Sequence, residues 1–449
     1  MSANMIAIAS SGLRAARAAL EVTSQNIANA GTEGYVRRSV SLSELSASNL
    51  RSSYGEVSQL GVRVSGITRN VSGFDQAEVR RTTADAARAD TLVEGLTQLS
   101  DTADNSGVFT AITGFQSALS QMTASPANSS LRANVVEAAR TMAQSFNAAN
   151  SGLQSAVTGM QDEAASGVKD LNDLAANLAQ VNIRISGDTD PANNSAGLLD
   201  ERDTILQKMA AISNISTTVN SDNTVTVQLG SGTGTTLVDH GKSGTLTMAK
   251  AGDGNVSFTL TDTAAATTAI TPTGGSLAGQ QQAISSGVTA LGGLDTVATS
   301  MMSTINTAQG NGVDLTGAPG TAMFTGNGAA DMAMVLTGPG QLAAASAGST
   351  ASSQNGTNLS AMISSLGSAN VSGKMNDYLF GLSSAVSSNT TMRDAFDTIA
   401  SNAKTSLAAA SGVDLDTEAA ALIKYQQAYQ ASGKIIQIAS TLFDQLLNL

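Results

Sequence analysis

"MIAIASSGLRAARAALEVTSQNIANAGTEGY", Met5 to Tyr35, sets the architecture. Ile6, Leu13, Leu20 and Ile27 recur every seventh residue, with Ala9, Ala16 and Thr23 in the companion positions. That spacing predicts one narrow apolar seam on a helix of about six turns, the geometry that seeks a partner helix. Asn29 to Gly31 should end the helix, because Asn and Gly accept left-handed backbone. Gly34 then permits a second sharp turn before Tyr35.

The far end repeats the device. Leu415, Leu422, Tyr429, Ile436 and Phe443 also fall at strict sevens, and Tyr425, Ala439 and Leu446 lie three residues beyond Leu422, Ile436 and Phe443. Asp414 and Asp416 suit an N-cap and an acidic first turn. A helix from Val413 to Leu449 would run about 55 Å at 1.5 Å per residue. A helix of that length with a single seam draws its stability from packing, so the two chain ends are expected to pair as a coiled coil.

Composition narrows the chemistry. The chain has 449 residues, enough for two or three domains. It is 41% hydrophobic but only 3% aromatic with no Trp, so its cores must be built from Ala, Leu, Val, Ile and Met. A net charge of −12 opposes nucleic-acid binding, which wants a basic face. No Cys and a single His, His240, exclude disulfides, thiolate nucleophiles, Cys- or His-rich metal sites and most catalytic triads. No metal or other cofactor is expected. No run of eighteen apolar residues exists to span a membrane. Arg14 and Arg17 interrupt the apolar stretch a secretory signal needs; the Ser- and Arg-bearing start has some transit-peptide character, which the sustained periodicity opposes.

Between the ends the pattern is helical, then β, then helical. Ala77–Leu99 and Ser129–Met160 are Ala-rich, Leu171–Ile185 carries one apolar face, and Ser195–Ile212 another. "TASPANSS" (Thr123–Ser130) is a helix-breaking connector. From about Ser213, "NTVTVQLG" and "NVSFTL" alternate like strands, with turns at "SGTGTT" and "GDGN". Helical pattern resumes near Leu277 and holds to the C-terminus apart from a Gly-rich interruption, Gly310 to Gly328. The fold expected is mainly α with an inserted small β domain, nested so that the first and last segments meet. Its domains are 1–70 plus 400–449, the terminal coiled coil; 71–211 plus 273–399, an α-helical middle; and 212–272, a small β-rich outer unit lying farthest away.

No catalytic motif emerges. "GSGTG" (Gly230–Gly234) lacks the following helix of a phosphate loop and reads as a hairpin loop. His240 beside Asp239 has no recognisable nucleophile and reads as a turn residue. Arg37–Arg38 and Arg80–Arg81 read as solvated or carboxylate-bonded pairs. "DERD" (Asp200–Asp203), inside an amphipathic helix, reads as an exposed ion-paired face.

"SGLRAARAALEVTSQNIANAGTEGYVRR" (Ser11–Arg38) resembles the N-terminal signature of the bacterial flagellar rod, hook and hook-associated proteins, the motif being Asn26, Ile27, Ala28, Asn29, Thr32, Gly34 and Tyr35. "SGVDLDTEAAALIKYQQAYQASGKIIQIASTLFDQLLNL" (Ser411–Leu449) resembles the hook-associated junction members more than hook or rod proteins, which share the VDL start but usually differ where this chain has "YQQAYQASGK"; Phe443–Asp444 points the same way. "AGLLDERDTILQKMA" (Ala196–Ala210), "GGSLAG" (Gly274–Gly279) and "NTAQGNGVDLTG" (Asn306–Gly317) are also similar to family segments. The β region is small, so the additional outer domain of longer members is expected to be absent.

The resemblance implies a non-enzymatic structural subunit of the flagellum, exported unfolded through the flagellar channel without a cleaved signal. It implies self-assembly into a ring-like layer where hook meets filament. The expected partners are the hook protein, a second hook-associated junction protein and a cytoplasmic export chaperone on the C-terminal helix, with no nucleic acid or membrane partner. A hook- or flagellin-like polymer subunit is the alternative, and a hydrolase displayed on the flagellum a more distant one.

Overall fold

A 27-residue helix, α1 (Ser2–Ala28), opens the chain and stops where Asn and Gly release it. This computed structural model describes residues 2–32, 34–46, 59–187, 195–230 and 234–447, so Ser231–Thr233 of the GSGTG stretch lie outside the described residues. After α1 comes an antiparallel hairpin, β1 (Arg38–Ser46) with β2 (Gln59–Arg69), laid along α1. In β2, Val62 and Val64 are half-buried while Arg63 and Ser65 face out; in β1 a register shift between Ser41 and Leu42 breaks the alternation and leaves Leu42 exposed. The last helix, α9 (Leu415–Leu447), packs lengthwise on another side of α1.

The body is helical. Helix α2 (Gly73–Asp104) is capped by Ser72, whose hydroxyl accepts from Asp75 N at 3.2 Å. Helix α3 (Val108–Met122) follows, and the connector around Pro126 leads to α4 (Ser129–Ser186), capped by Asn128. The two apolar segments expected at Ser129–Met160 and Leu171–Ile185 are one helix of 58 residues, because Ala164 and Val168 carry the buried face across the polar "QDEAASGVKD". Then come α5 (Ser195–Ile212) and, after the β region, α6 (Ser276–Gly310), α7 (Thr357–Ala369) and α8 (Val371–Ser411). One continuous core of Leu, Met, Phe, Val and Ala runs through α2–α4 and α6–α8; Phe115 meets Phe324 edge-on at 6.3 Å.

The β region holds two small antiparallel sheets. One is β3 (Ile215–Val219), β4 (Val225–Leu229), β5 (Thr235–Asp239) and β6 (Lys242–Ser243); the other is β7 (Thr245–Lys250), β8 (Val256–Thr261) and β9 (Thr267–Ile270). Val225, Val227, Leu229, Phe258 and Leu260 alternate inward as the strand reading requires. The unit does not stand off at a distance; it lies along the C-terminal half of α4. Asn182 gives Nδ2 to Val225 O at 2.9 Å and takes Val225 N at 3.0 Å; Asn172 does the same for Leu246 at 2.9 and 2.8 Å. Each amide completes strand hydrogen bonds that a bare helix face would leave unmet.

The helical pattern does not resume at Gly328. From 312 to 356 the chain is mostly irregular, with the short pairs β10 (Gly312–Val313) with β13 (Ala345–Ser346) and β11 (Phe324–Thr325) with β12 (Ala333–Met334) and one 3₁₀ turn at Pro339–Gln341. A high density of Gly and the ring of Pro319 disfavour a longer helix there. Side chains tie the stretch down instead. Arg132 is 1% exposed and donates to Pro126 O at 2.6 Å and Leu342 O at 2.7 Å; Asn306, Gln309 and Asn358 bond the backbone of Phe324, Ala343 and Ala308.

The chain passes between the α1–α9–hairpin unit and the helical body at 70–72 and at 411–414, and the 34–37 turn joining α1 to β1 lies against both crossings. Arg37 N donates to Ser411 O at 3.0 Å and Asn70 N to Arg37 O at 2.9 Å, so the crossings are stitched together by backbone.

Candidate assembly interface

Helices α1 and α9 run antiparallel. A Cβ on Gly12 would stand 3.2 Å from Ser432 Oγ, while Asn26 bonds Glu418, so paired positions sum to about 444. Small residues set the closeness: Ala9, Ala16, Ala19 and Thr23 are buried on α1, Gly12 faces Ser432, and Ala439 is buried on α9. Ile6, Leu13, Leu20 and Ile27 are half-buried beside them, as are Leu422, Tyr425 and Ile436 on α9. Leu415, Tyr429 and Phe443 are exposed, and the side chain of Leu446 lies outside the described residues. A straight α-helix drifts about 20° per heptad against a strict seven, which carries the end members Leu415 and Phe443 off the seam; the exposure of Tyr429, midway between half-buried Leu422 and Ile436, has no such explanation.

The opposite side of α1 takes the hairpin. Ser11 Oγ donates to Ile8 O at 2.7 Å and accepts Val62 N at 3.1 Å. This second buried stripe holds Ala15 and Val22, themselves seven apart and in line with Ile8, but its small and polar members give a weaker apolar signal than the Ile6–Leu13–Leu20–Ile27 seam.

Towards the free ends of the coil the pattern changes. Met5, Ile8, Ile435, Ile438, Leu442 and Phe443 are each 42–50% exposed. The pairing register brings these α1 and α9 residues to the same few turns. Leu415, Ile423 and Tyr429 are exposed further along α9, so apolar exposure runs the length of that helix and at the free end is joined by Met5 and Ile8 of α1.

At the other end of the coil sits a polar joint built from the family-like motif. Asn26 Nδ2 donates to Arg38 O at 2.8 Å and Glu418 Oε2 at 3.1 Å; its Oδ1 accepts Tyr35 OH at 2.9 Å and Arg38 N at 3.0 Å. Glu418 is 1% exposed, and its Oε1 accepts Arg37 Nε at 2.6 Å. Burial raises the Tyr35 phenol above its ordinary pKa, partly offset by Arg38, whose guanidinium stands 4.9 Å over the ring. Gly34 has φ +77°, and a Cβ there would lie 2.5 Å from Thr204 Oγ1, so only glycine turns here against α5. Asn29 Nδ2 closes the helix end on Gln25 O, and Thr32 Oγ1 bonds Asn29 Oδ1 at 3.3 Å; Ala28 is exposed.

"DERD" completes the joint, and it is not the exposed face expected. Asp200 accepts Arg38 Nη2 at 2.8 Å and Arg69 Nε at 2.9 Å; Asp203 accepts Arg69 Nη2 at 2.8 Å, Gln76 Nε2 at 2.9 Å and Arg202 Nη2 at 2.8 Å. Only Glu201 faces out, to Arg184. Burial would push the Asp203 carboxyl up, but Arg202, Arg69 and Gln76 outweigh it and hold it below the usual carboxylate range. Arg38 and Arg69 arrive from a hairpin 131 to 162 positions away, which the amphipathic-helix reading of Asp200–Asp203 could not foresee.

Elsewhere the motifs are structural. His240 has φ +49° at the β5–β6 turn and its Nδ1 lies 2.8 Å from Asp239 Oδ1, both side chains exposed. Arg81 pairs with Glu78 and Asp85. Among the described residues no group of His, Cys, Asp or Glu could hold a metal ion, and no helix is long and apolar enough to cross a membrane.

Comparison with known proteins points one way. The family profile described as flagellar hook-associated protein FlgK helical domain matches residues 93–324. Profiles of the flagella basal body rod protein and the flagellar basal body rod FlgEFG protein C-terminal match residues 6–35 and 407–449. The chain is similar to flagellar hook-associated protein 1 of Bacillus subtilis (strain 168), 24% identical over 493 residues, covering 97% of this chain and 96% of that protein. Its fold is similar to that of the flagellar hook junction protein FlgK from Burkholderia pseudomallei, with a TM-score of 0.51 at 23% identity; the match covers 56% of this chain and 46% of that one.

Proposed function

Because the chain belongs to the family of flagellar hook-associated FlgK proteins, we propose that it is the structural subunit of the layer joining hook to filament. The observation that carries the reading is the antiparallel α1–α9 coil, stabilised along one seam and still apolar on its outside at the free end. A helix pair with such a remnant face is complete only when further copies cover it.

In this reading the chain leaves the cell through the flagellar export channel with its ends unfolded, held until then by a chaperone on α9. The terminal coil orders on arrival, so folding and polymerisation are one event and the cytoplasmic monomer does not polymerise. Copies form a ring-like layer between the hook protein below and a second hook-associated junction protein above. Ile6, Leu13, Leu20 and Ile27 with Leu422, Tyr429, Ile436 and Phe443 form the assembly seam, and no catalytic residue is needed.

Gold-labelled antibody on intact flagella tests this. One discrete label where hook meets filament is expected. Label along the hook or the filament would make the chain the bulk subunit of that part. A charge at Leu20 or Ile436 should abolish incorporation while the helical body stays folded; normal flagella from such a mutant would remove the seam assignment.

A further inference from the structure

Behind the polar joint lies a cavity of about 370 Å³, walled by residues of the 34–36 turn, α2, α5 and the end of α8. Its size falls in the range of small-molecule sites, and its position between two units of a chain is where such sites occur. Val36, Val79, Leu407 and Ala408 give it apolar walls.

Its polar groups are unevenly spent. Asp203, the acid on the wall, has both oxygens engaged by Arg69, Gln76 and Arg202. The donors are not so engaged. Arg80 makes one hydrogen bond, Nη2 to Thr217 Oγ1 at 3.1 Å, and its charge is poorly solvated, since burial lowers its pKa from the ordinary arginine value. Lys404 on α8 is an exposed ammonium at the rim. Ser411 is 5% exposed and its hydroxyl has no hydrogen-bond partner. A buried hydroxyl left unmet is unfavourable, and a cavity wall is where an occupant can meet it.

We propose that this cavity binds a small amphipathic carboxylate, its charge held by Arg80 and Lys404, its oxygens meeting the Ser411 hydroxyl, and its apolar body against Val79 and Leu407. Free donors facing a neutralised acid select an anion, and the apolar walls select an organic one over phosphate or sulfate. The occupant touches α2 and the end of α8, so binding ties those two helices together beside the 34–36 turn. The inference stands on the cavity alone and is independent of where in the flagellum the chain sits.

The test is calorimetric titration of the purified full chain at fixed ionic strength with butyrate, hexanoate and benzoate, each against its neutral amide and against inorganic phosphate. Saturable binding of a carboxylate, at least tenfold tighter than its amide and than phosphate, is the expected result. Binding should weaken at least tenfold in Arg80→Gln. Arg80 also holds β3 through Thr217, so Lys404→Gln, on an exposed side chain, is the second variant and should weaken binding severalfold with unchanged circular dichroism. No saturable binding to about 50 mM, equal binding of the amide, or binding untouched by both substitutions would overturn the proposal.

Discussion

Glu418 in the first turn of α9 accepts a hydrogen bond from Asn26 in the last turns of α1, 392 positions away in sequence, at 3.1 Å. The same carboxylate holds Arg37 at 2.6 Å. One buried acid thereby fixes where the last helix meets the first, and the antiparallel register follows from it.

Glu418→Ala is expected to loosen the coil sharply, because it leaves Arg37 and the Asn26 amide short of a partner in a buried site. Breaking a buried pair costs about 3 kcal/mol, and Arg37 is partly solvated, so the loss should sit at or below that. Glu418→Gln, which keeps the Asn26 contact, should cost less. A double-mutant cycle with Arg37→Gln, read by thermal unfolding of full chains, should give a coupling of about 1–2 kcal/mol.

Asp203 predicts an acid limb. Its folded pKa is depressed, so its contribution is fully present above the unfolded carboxylate value of about 3.9 and fades as pH falls through the folded value. Stability should be level in this respect from neutral pH to about 4 and fall below it. Asp203→Asn should be less stable at pH 7 and flatten the acid limb of a denaturant series; an unchanged limb would remove Asp203 from the joint's energetics.

Asp90 predicts the reverse sign. Burial, with Asp397 nearby, raises its pKa despite Arg393. The unfavourable charge is present above the folded pKa and absent below the unfolded one. Asp90→Asn should therefore raise Tm at pH 7 and leave it unchanged near pH 3.

Ile436 and Ile438 separate the inner from the outer face of α9. Ile438 is 50% exposed. Ile438→Asp should change chain stability by no more than about 0.5 kcal/mol yet block incorporation into flagella. Ile436→Asp, half-buried against α1, should harm both. Normal motility of Ile438→Asp cells would show that the outer face carries no assembly contact.

Arg132→Met should free the irregular stretch rather than unfold the chain. The guanidinium is buried on the carbonyls of Pro126 and Leu342, and leaving such groups unmet costs about 1–3 kcal/mol each. Hydrogen exchange at 339–343 should quicken while amides in α2 and α4 stay protected.

The ends of this protein were legible because heptads report helix pairing directly, and Asn29 with the glycines marked where α1 stops. The β unit was legible from the alternation of Val225 with Val227 and Val256 with Phe258. The hairpin was not, because "SVSLSELS" holds more Ser than apolar residues and its packing partner on α1, the Ser11–Ala15–Val22 stripe, is built of small and polar side chains that read as a solvent face. With the hairpin unseen, Arg38 and Arg69 could not be placed against Asp200 and Asp203. The 312–356 stretch defeated periodicity for a related reason: its order comes from Arg132 on α4 and Asn306 and Gln309 on α6, side chains that satisfy backbone groups one at a time.

The crossings at 70–72 and 411–414, stitched together through Arg37, have a mechanical meaning. A unit hung on one linker swivels; a unit hung on parallel covalent strands, cross-tied at Arg37, resists torsion and shares load among them. Twist applied to the terminal coil is therefore passed to the helical body as torque.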